Sequence, residues 1–212
     1  LEEDSTDIIP ATLFSSMGLG EDFEVEGVAS LKLTKNLPRI IELVEGWDIG
    51  LSQIRVNVGE IRKDYVGEEN IGCFFTCGVD SFYSLLKNTK QISHLIYVYG
   101  FDISLGDEKL YKKVLKNIKK VAKELNKELI VVETNIREFS DKFISWDYSH
   151  GSSLAAVALA LRKGFKKVFI AGSNHITVPV GPWGSHPHID PIWSTEKIKI
   201  FHSLRDVDRF SE

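Results

Sequence analysis

The chain has 212 residues, 43% of them hydrophobic and 26% charged, which suits one sizeable α/β domain with a lead-in segment. No apolar run nears the roughly 20 residues needed to span a bilayer, and the Leu1-Glu2-Glu3-Asp4 start lacks the basic and apolar regions of a signal peptide. A net charge of −4 gives no general attraction to nucleic acid. Cys73 and Cys77 alone make neither a disulfide framework nor a zinc site, so the expected compartment is the cytoplasm.

Residues 1–70 read as an appended segment packed on a main domain at 71–212. The segment's first thirty residues carry eight acidic side chains, from Glu2 to Glu26, and no Lys or Arg. It holds one helix at 37–45 and a β-like run at 53–58. From Ile71 onward, short apolar runs alternate with amphipathic stretches. Strands are expected at 71–76, 95–99, 129–133, 167–171 and 197–201. Helices are expected at 79–87, with Val79, Phe82, Tyr83 and Leu86 on one apolar face, at 107–126, and at 152–162 with Gly164 as a C-terminal cap. Near-continuous apolar strands separated by helices predict an α/β, doubly wound, Rossmann-like parallel sheet covered on both faces. Ligands then lie at the carboxyl ends of the strands.

The helix at 107–126 is dense in lysine, with Lys109, Lys112, Lys113, Lys116, Lys119, Lys120 and Lys123, followed by Lys127. A tRNA-facing patch is one reading. A solvated helix face is the plainer one, because no aromatic residues are interleaved for base stacking.

The segment Phe74-Phe75-Thr76-Cys77-Gly78-Val79-Asp80-Ser81-Phe82 places small residues between a strand and a helix. Backbone N–H groups at a helix N-terminus favour an anion. Gly78 lets backbone approach a phosphate, and Thr76 and Ser81 add hydroxyls. Asp80 suits a phosphate that carries Mg²⁺, or it orients the loop as a capping residue.

This segment resembles the S-G-G-x-D-S signature of the PP-loop ATP pyrophosphatases, the adenine nucleotide α-hydrolase-like superfamily. Thr76 stands for the first Ser, Gly78, Asp80 and Ser81 keep their places, and Cys77 stands where the signature has Gly. The region from Leu95 to Arg209 is also similar to a branch of that superfamily with PWGSHP-like and D-P-x-W-S-T-like segments. The resemblance implies a HUP-type fold and an enzyme using ATP and Mg²⁺. A substrate carboxylate, amide or carbonyl oxygen attacks the α-phosphate, pyrophosphate leaves, and a nitrogen or sulfur nucleophile displaces AMP. That chemistry belongs to a ligase, synthetase or sulfurtransferase, acting on a small-molecule or carrier-bound substrate.

The resemblance also implies that adenine lies near Gly100, Phe101 and Asp102, and that the fourth strand delivers a second phosphate loop at Gly172-Ser173. Arg137 is placed to neutralise phosphate or a carboxylate, or else pairs with Glu138 or Asp141. His150 contacts ligand or caps the helix after it. Trp183, Gly184, Ser185, His186 and Asp190 sit in an irregular, proline-stiffened stretch expected to touch substrate. His202, Asp206 and Arg209 look like the family's trailing pattern, with Arg209 within reach of phosphate. Cys77 is either a sulfur carrier or, preferably, a small packing residue. Two other readings remain: a nucleotide-binding module without turnover, and a zinc hydrolase centred on His186 and His188, in a stretch where His175 and Asp190 also raise a metal site.

Overall fold

The computed structural model describes residues 4–63, 69–175 and 181–205, with the backbone alone at 174–175 and 204–205. The main sheet holds β3 (Ile71–Phe74), β4 (His94–Tyr99), β5 (Glu128–Glu133), β6 (Lys167–His175) and β7 (Lys199–Arg205). All four neighbouring pairs are parallel, in the order β5-β4-β3-β6-β7. The chain therefore winds outward from β3 to β5, returns, and continues from β6 on the other side of β3. Such a reversal opens a crevice at the carboxyl ends of the two central strands.

Side chains alternate across the sheet, so β4 divides its residues between two cores. Leu95, Tyr97 and Tyr99 join Cys73, Phe75 and Phe169 under helices α3 (Val79–Lys87) and α4 (Glu108–Glu124). Ile96 and Val98 join Phe74, Val168 and Ile170 on the opposite face, under α6 (Trp146–Ala160). The expected α/β class, with a parallel sheet flanked by helices, is what the chain forms. Among the described residues no helix is long and apolar enough to cross a membrane.

Three expectations need correction. Helix α3 has the expected bounds but buries Ser81, Ser84 and Leu85, while Val79 and Leu86 stand 46% and 56% exposed. It lies across β6, and the two serines are small enough to bring it close to the sheet. Helix α6 begins at Trp146, not 152, because Ser145 caps it by accepting from the Asp147 N–H. It ends in a 3₁₀ turn at Arg162–Gly164, and Gly164 has no left-handed conformation to serve as the expected cap. A short helix, α5 (Ile136–Ser140), was not anticipated.

The first sixty residues form a β-α-β unit. Strands β1 (Phe23–Ser30) and β2 (Val56–Arg62) pair in parallel, with α2 (Leu31–Glu45) as the crossover and α1 (Ile8–Leu19) ahead of them. The expected helix at 37–45 is the second half of α2, which carries Pro38 in its interior. The unit is tied to the end of the chain. Glu196 accepts from the Lys32 N–H at 2.9 Å and the Ser30 hydroxyl at 2.7 Å, while Ser30 itself caps α2. Trp193, fully buried, packs on Phe14 at 5.8 Å. Buried Arg162 pairs with Asp4 and Asp7. The D-P-x-W-S-T segment is thus core, with Asp190, Trp193, Ser194 and Thr195 all buried.

Candidate functional site

After β3 the chain turns at Cys77, whose φ of 63° lies in the left-handed region. A glycine adopts that conformation at no steric cost, whereas an L side chain costs roughly 1–2 kcal/mol there. The departure from the signature thus falls on the one loop position that needs a positive φ. Gly78 then caps α3 in an extended conformation. The first helical hydrogen bond runs from the Phe82 N–H to the Gly78 carbonyl, so the N–H groups of Val79, Asp80 and Ser81 lie ahead of the ladder. The Ser81 hydroxyl donates to the Gly78 carbonyl at 2.8 Å and accepts from the Thr76 N–H at 3.4 Å. Ser81 therefore braces the loop from inside, and Thr76 is the exposed hydroxyl. Burial pushes the Cys77 thiol up from its ordinary value, the opposite of what a sulfur carrier needs.

The loop forms one side of a cavity of about 240 Å³ at the β3–β6 crevice. Phe74, Phe75, Thr76, Gly78, Val79, Asp80 and Ser81 face Ile96 and Val98 of β4, then Phe101 and Asp102. Trp146, His150 and Leu154 of α6, Ala171 and Ser173 of β6, and Ser185 complete the lining. Its carboxylates are Asp80 and Asp102, and no Lys or Arg lines it among the described residues. Expected residues Phe75, Thr76, Gly78, Val79, Asp80, Ser81, Phe101, Asp102, His150, Ser173 and Ser185 thus converge here.

Others do not. Gly172 faces away: a Cβ there would lie 2.4 Å from His202 Nε2, so the glycine admits that imidazole from the neighbouring strand. Gly100, at φ 104°, passes so close to the Thr134 carbonyl that a Cβ would stand 1.9 Å from its oxygen. It lines a second cavity of about 410 Å³, which shares Phe101 and Asp102 with the first and contains Arg137. Arg137 is held by protein partners, the expected Asp141 among them. It donates to the Phe101 carbonyl at 2.6 Å, pairs with Asp141 at 3.2 Å and lies over the Trp146 ring at 4.7 Å.

The expected substrate segment is largely packed into the fold, with Ser185, His186 and Asp190 buried. Asp190 is fully buried. One of its oxygens takes the Ser185 hydroxyl and His202 Nδ1, both at 2.7 Å, and the other takes the His186 N–H. Ser185 and His202 turn to the same carboxylate oxygen, so the three are no nucleophilic triad, in which His stands between Ser and Asp. Trp183, Gly184, His186 and Asp190 lie outside the cavity lining; Gly184 packs on α6 and Trp183 on His150. Among the described residues no three His, Cys, Asp or Glu gather to hold a metal ion. The side chain of His175, with Asp206 and Arg209, lies outside the described residues. The lysines of α4 are exposed on the sheet face opposite Ile96 and Val98, away from the cavity.

His150 lies in the second turn of α6, not before the helix. Its Nε2 accepts from the Ser185 N–H at 3.0 Å, so Nδ1 carries the proton and donates it to the Trp146 carbonyl at 3.1 Å. Burial lowers the imidazole below its ordinary 6.5, against the Trp146 carbonyl and the charges of Asp190, Asp102 and Asp147. The fold thus prefers the neutral ring. The stability this contributes is whole above 6.5 and is lost as pH falls below that toward the lower folded value. Urea melts between about pH 7.5 and 5 are expected to lose stability downward, with a shallower slope for His150→Gln. An unchanged slope in that variant refutes the role of His150.

Ile96, Val98, Trp146 and Leu154 line the cavity without having been anticipated. Strand parity was the available signal for the pair on β4. The Ser145-Trp146-Asp147 start was the signal for α6. Comparison of the chain with protein-family models, with curated proteins and with solved structures finds no match in any of the three.

Proposed function

We propose that the chain is a HUP-type, PP-loop ATP pyrophosphatase that binds ATP in the β3–β6 crevice and uses it to adenylate an acid, amide or carbonyl substrate. A nitrogen or sulfur nucleophile then displaces AMP. The supporting observation is the position of the loop. The left-handed turn at Cys77, the N-cap glycine and the start of α3 meet at the switch point of a parallel sheet, where anions bind. In this reading the N–H groups of Val79, Asp80 and Ser81 hold the phosphates. Thr76 adds a hydroxyl, and Ser81 keeps the turn rigid from behind.

The lining fits a magnesium-bound phosphate better than a bare one. Among the described residues two carboxylates and no Lys or Arg face the cavity, so Asp80 would hold Mg²⁺ there. Bound Mg²⁺ neutralises phosphate charge and stabilises the leaving pyrophosphate. The chain's own contribution is then positioning and exclusion of water by Phe101, Trp146 and Leu154 rather than a protein nucleophile. The same absence of lining cations favours a second reading, nucleotide binding without turnover.

Titration calorimetry with ATP, with and without Mg²⁺, tests the first claim. Saturable binding that falls about 10-fold or more when Mg²⁺ is removed, and again in Asp80→Ala, is the expected result. Absence of binding by the folded wild-type chain sinks the proposal. Pyrophosphate release on adding carboxylates or amides then separates the enzyme from the binding module.

A further inference from the structure

Among the described residues Arg137 is the only arginine lining the two adjoining cavities, and the structure gives its guanidinium three protein partners. It donates to the Phe101 carbonyl, pairs with Asp141 and lies over the Trp146 ring. Phe101 and Trp146 also touch each other, with ring centroids 5.0 Å apart, and Trp146 continues to His150 at 6.0 Å. Phe101, Trp146 and His150 all line the main cavity. They make one aromatic wall facing the phosphate loop, drawn from the turn after β4 and from the first two turns of α6. The far end is fastened by the bond between His150 and the Ser185 N–H. Arg137 fastens the near end, binding backbone on one element and a ring on the other.

We infer that Arg137 is a positioning residue that acts through Phe101 and Trp146 to hold this wall against the ring system of the bound ligand. The shape of the guanidinium makes this possible, since its carbon sits over the indole at 4.7 Å while its N–H groups bond a carbonyl and a carboxylate. An ammonium group cannot do these three things at once, so lysine is not a substitute. The inference rests on the nucleotide reading for the identity of the ligand, and on this chain's own contacts for the state of the wall.

The test joins two readouts on Arg137→Met and Arg137→Lys. Acrylamide quenching of tryptophan fluorescence, with Trp146→Phe chains as baseline, reports how well Trp146 is covered. It is expected to rise in both Arg137 variants. Calorimetry is expected to show ATP and adenosine weakened alike, about 10-fold, with Mg-pyrophosphate binding unchanged and no rescue by lysine. Weakened pyrophosphate binding that lysine restores overturns the inference, because Arg137 then touches phosphate. Unchanged quenching of Trp146 overturns it too, as does full adenosine affinity beside a loosened Trp146. If the wild-type chain binds no nucleotide while the variants loosen Trp146, the nucleotide reading fails and the support of the wall by Arg137 stands.

Discussion

Gly78→Ala is expected to leave the protein folded and to cost about 100-fold or more in ATP affinity, measured by calorimetry beside a thermal melt. Gly78 has φ −79° and ψ 159°, which alanine adopts without strain. An added Cβ would meet only the Thr76 hydroxyl, at 3.4 Å, with no other atom of the described residues beyond its chain neighbours within 4 Å. Losing glycine at a helix N-cap costs less than about 1 kcal/mol. Neither conformation nor protein crowding therefore requires glycine here. A phosphate resting on the loop does, because a methyl group would stand between it and the backbone N–H groups. Equal affinity in the two chains means that no phosphate sits at Gly78.

Gly151→Ala is expected to do the reverse and strike the fold first. Gly151 lies in the middle of α6, where alanine is ordinarily the better helix former. Its Cβ, however, would stand 2.0 Å from the Gly184 carbonyl oxygen and 2.6 Å from the carbon. Those are backbone atoms, held in place by the Gly184 N–H bond to the Asp147 carbonyl at 2.7 Å and by Ser185 on His150. Relief means lifting the 183–185 turn off the helix, which breaks both bonds. A loss of about 3 kcal/mol follows, read as a fall in Tm of roughly 6–12 °C. A melt within about 2 °C of wild type would falsify this packing.

The two glycines also show what a sequence reveals and what it hides. Gly78 was legible because its surroundings are local: a strand end, small residues and a helix start within eight positions. The parallel sheet was legible for a similar reason, since strands buried on both faces read as apolar runs. Gly151 was not legible, because the atom that demands it lies 33 residues away, in a turn with no periodicity. The same holds for Asp190, which reads as a substrate contact in one dimension and is knotted to His202 in the buried interior in three. Arg137 lies at the carboxyl edge of the sheet, yet its direction depends on Trp146, which enters the cavity lining only because α6 begins two turns early. Helix α3 misled in a different way. Its apolar stripe at Val79 and Leu86 is the exposed one, because the close approach of the helix to β6 is made by serines. Helix α1 gave no stripe at all, since Ile8-Ile9-Pro10 and its neighbours are apolar on every side.

The bond between Ser30 and Glu196 spans 166 residues, and it has a consequence in time. A chain made at about 5–20 residues per second presents α2 to its surroundings roughly 10–30 s before Glu196 exists to finish its first turn. Trp193, which covers Phe14, arrives equally late. During synthesis the β-α-β unit therefore waits for these two partners, and this long-range closure makes its final packing against the main domain a late step. Chaperone engagement of nascent chains is expected to concentrate on this stretch and to end once Trp193 and Glu196 have emerged.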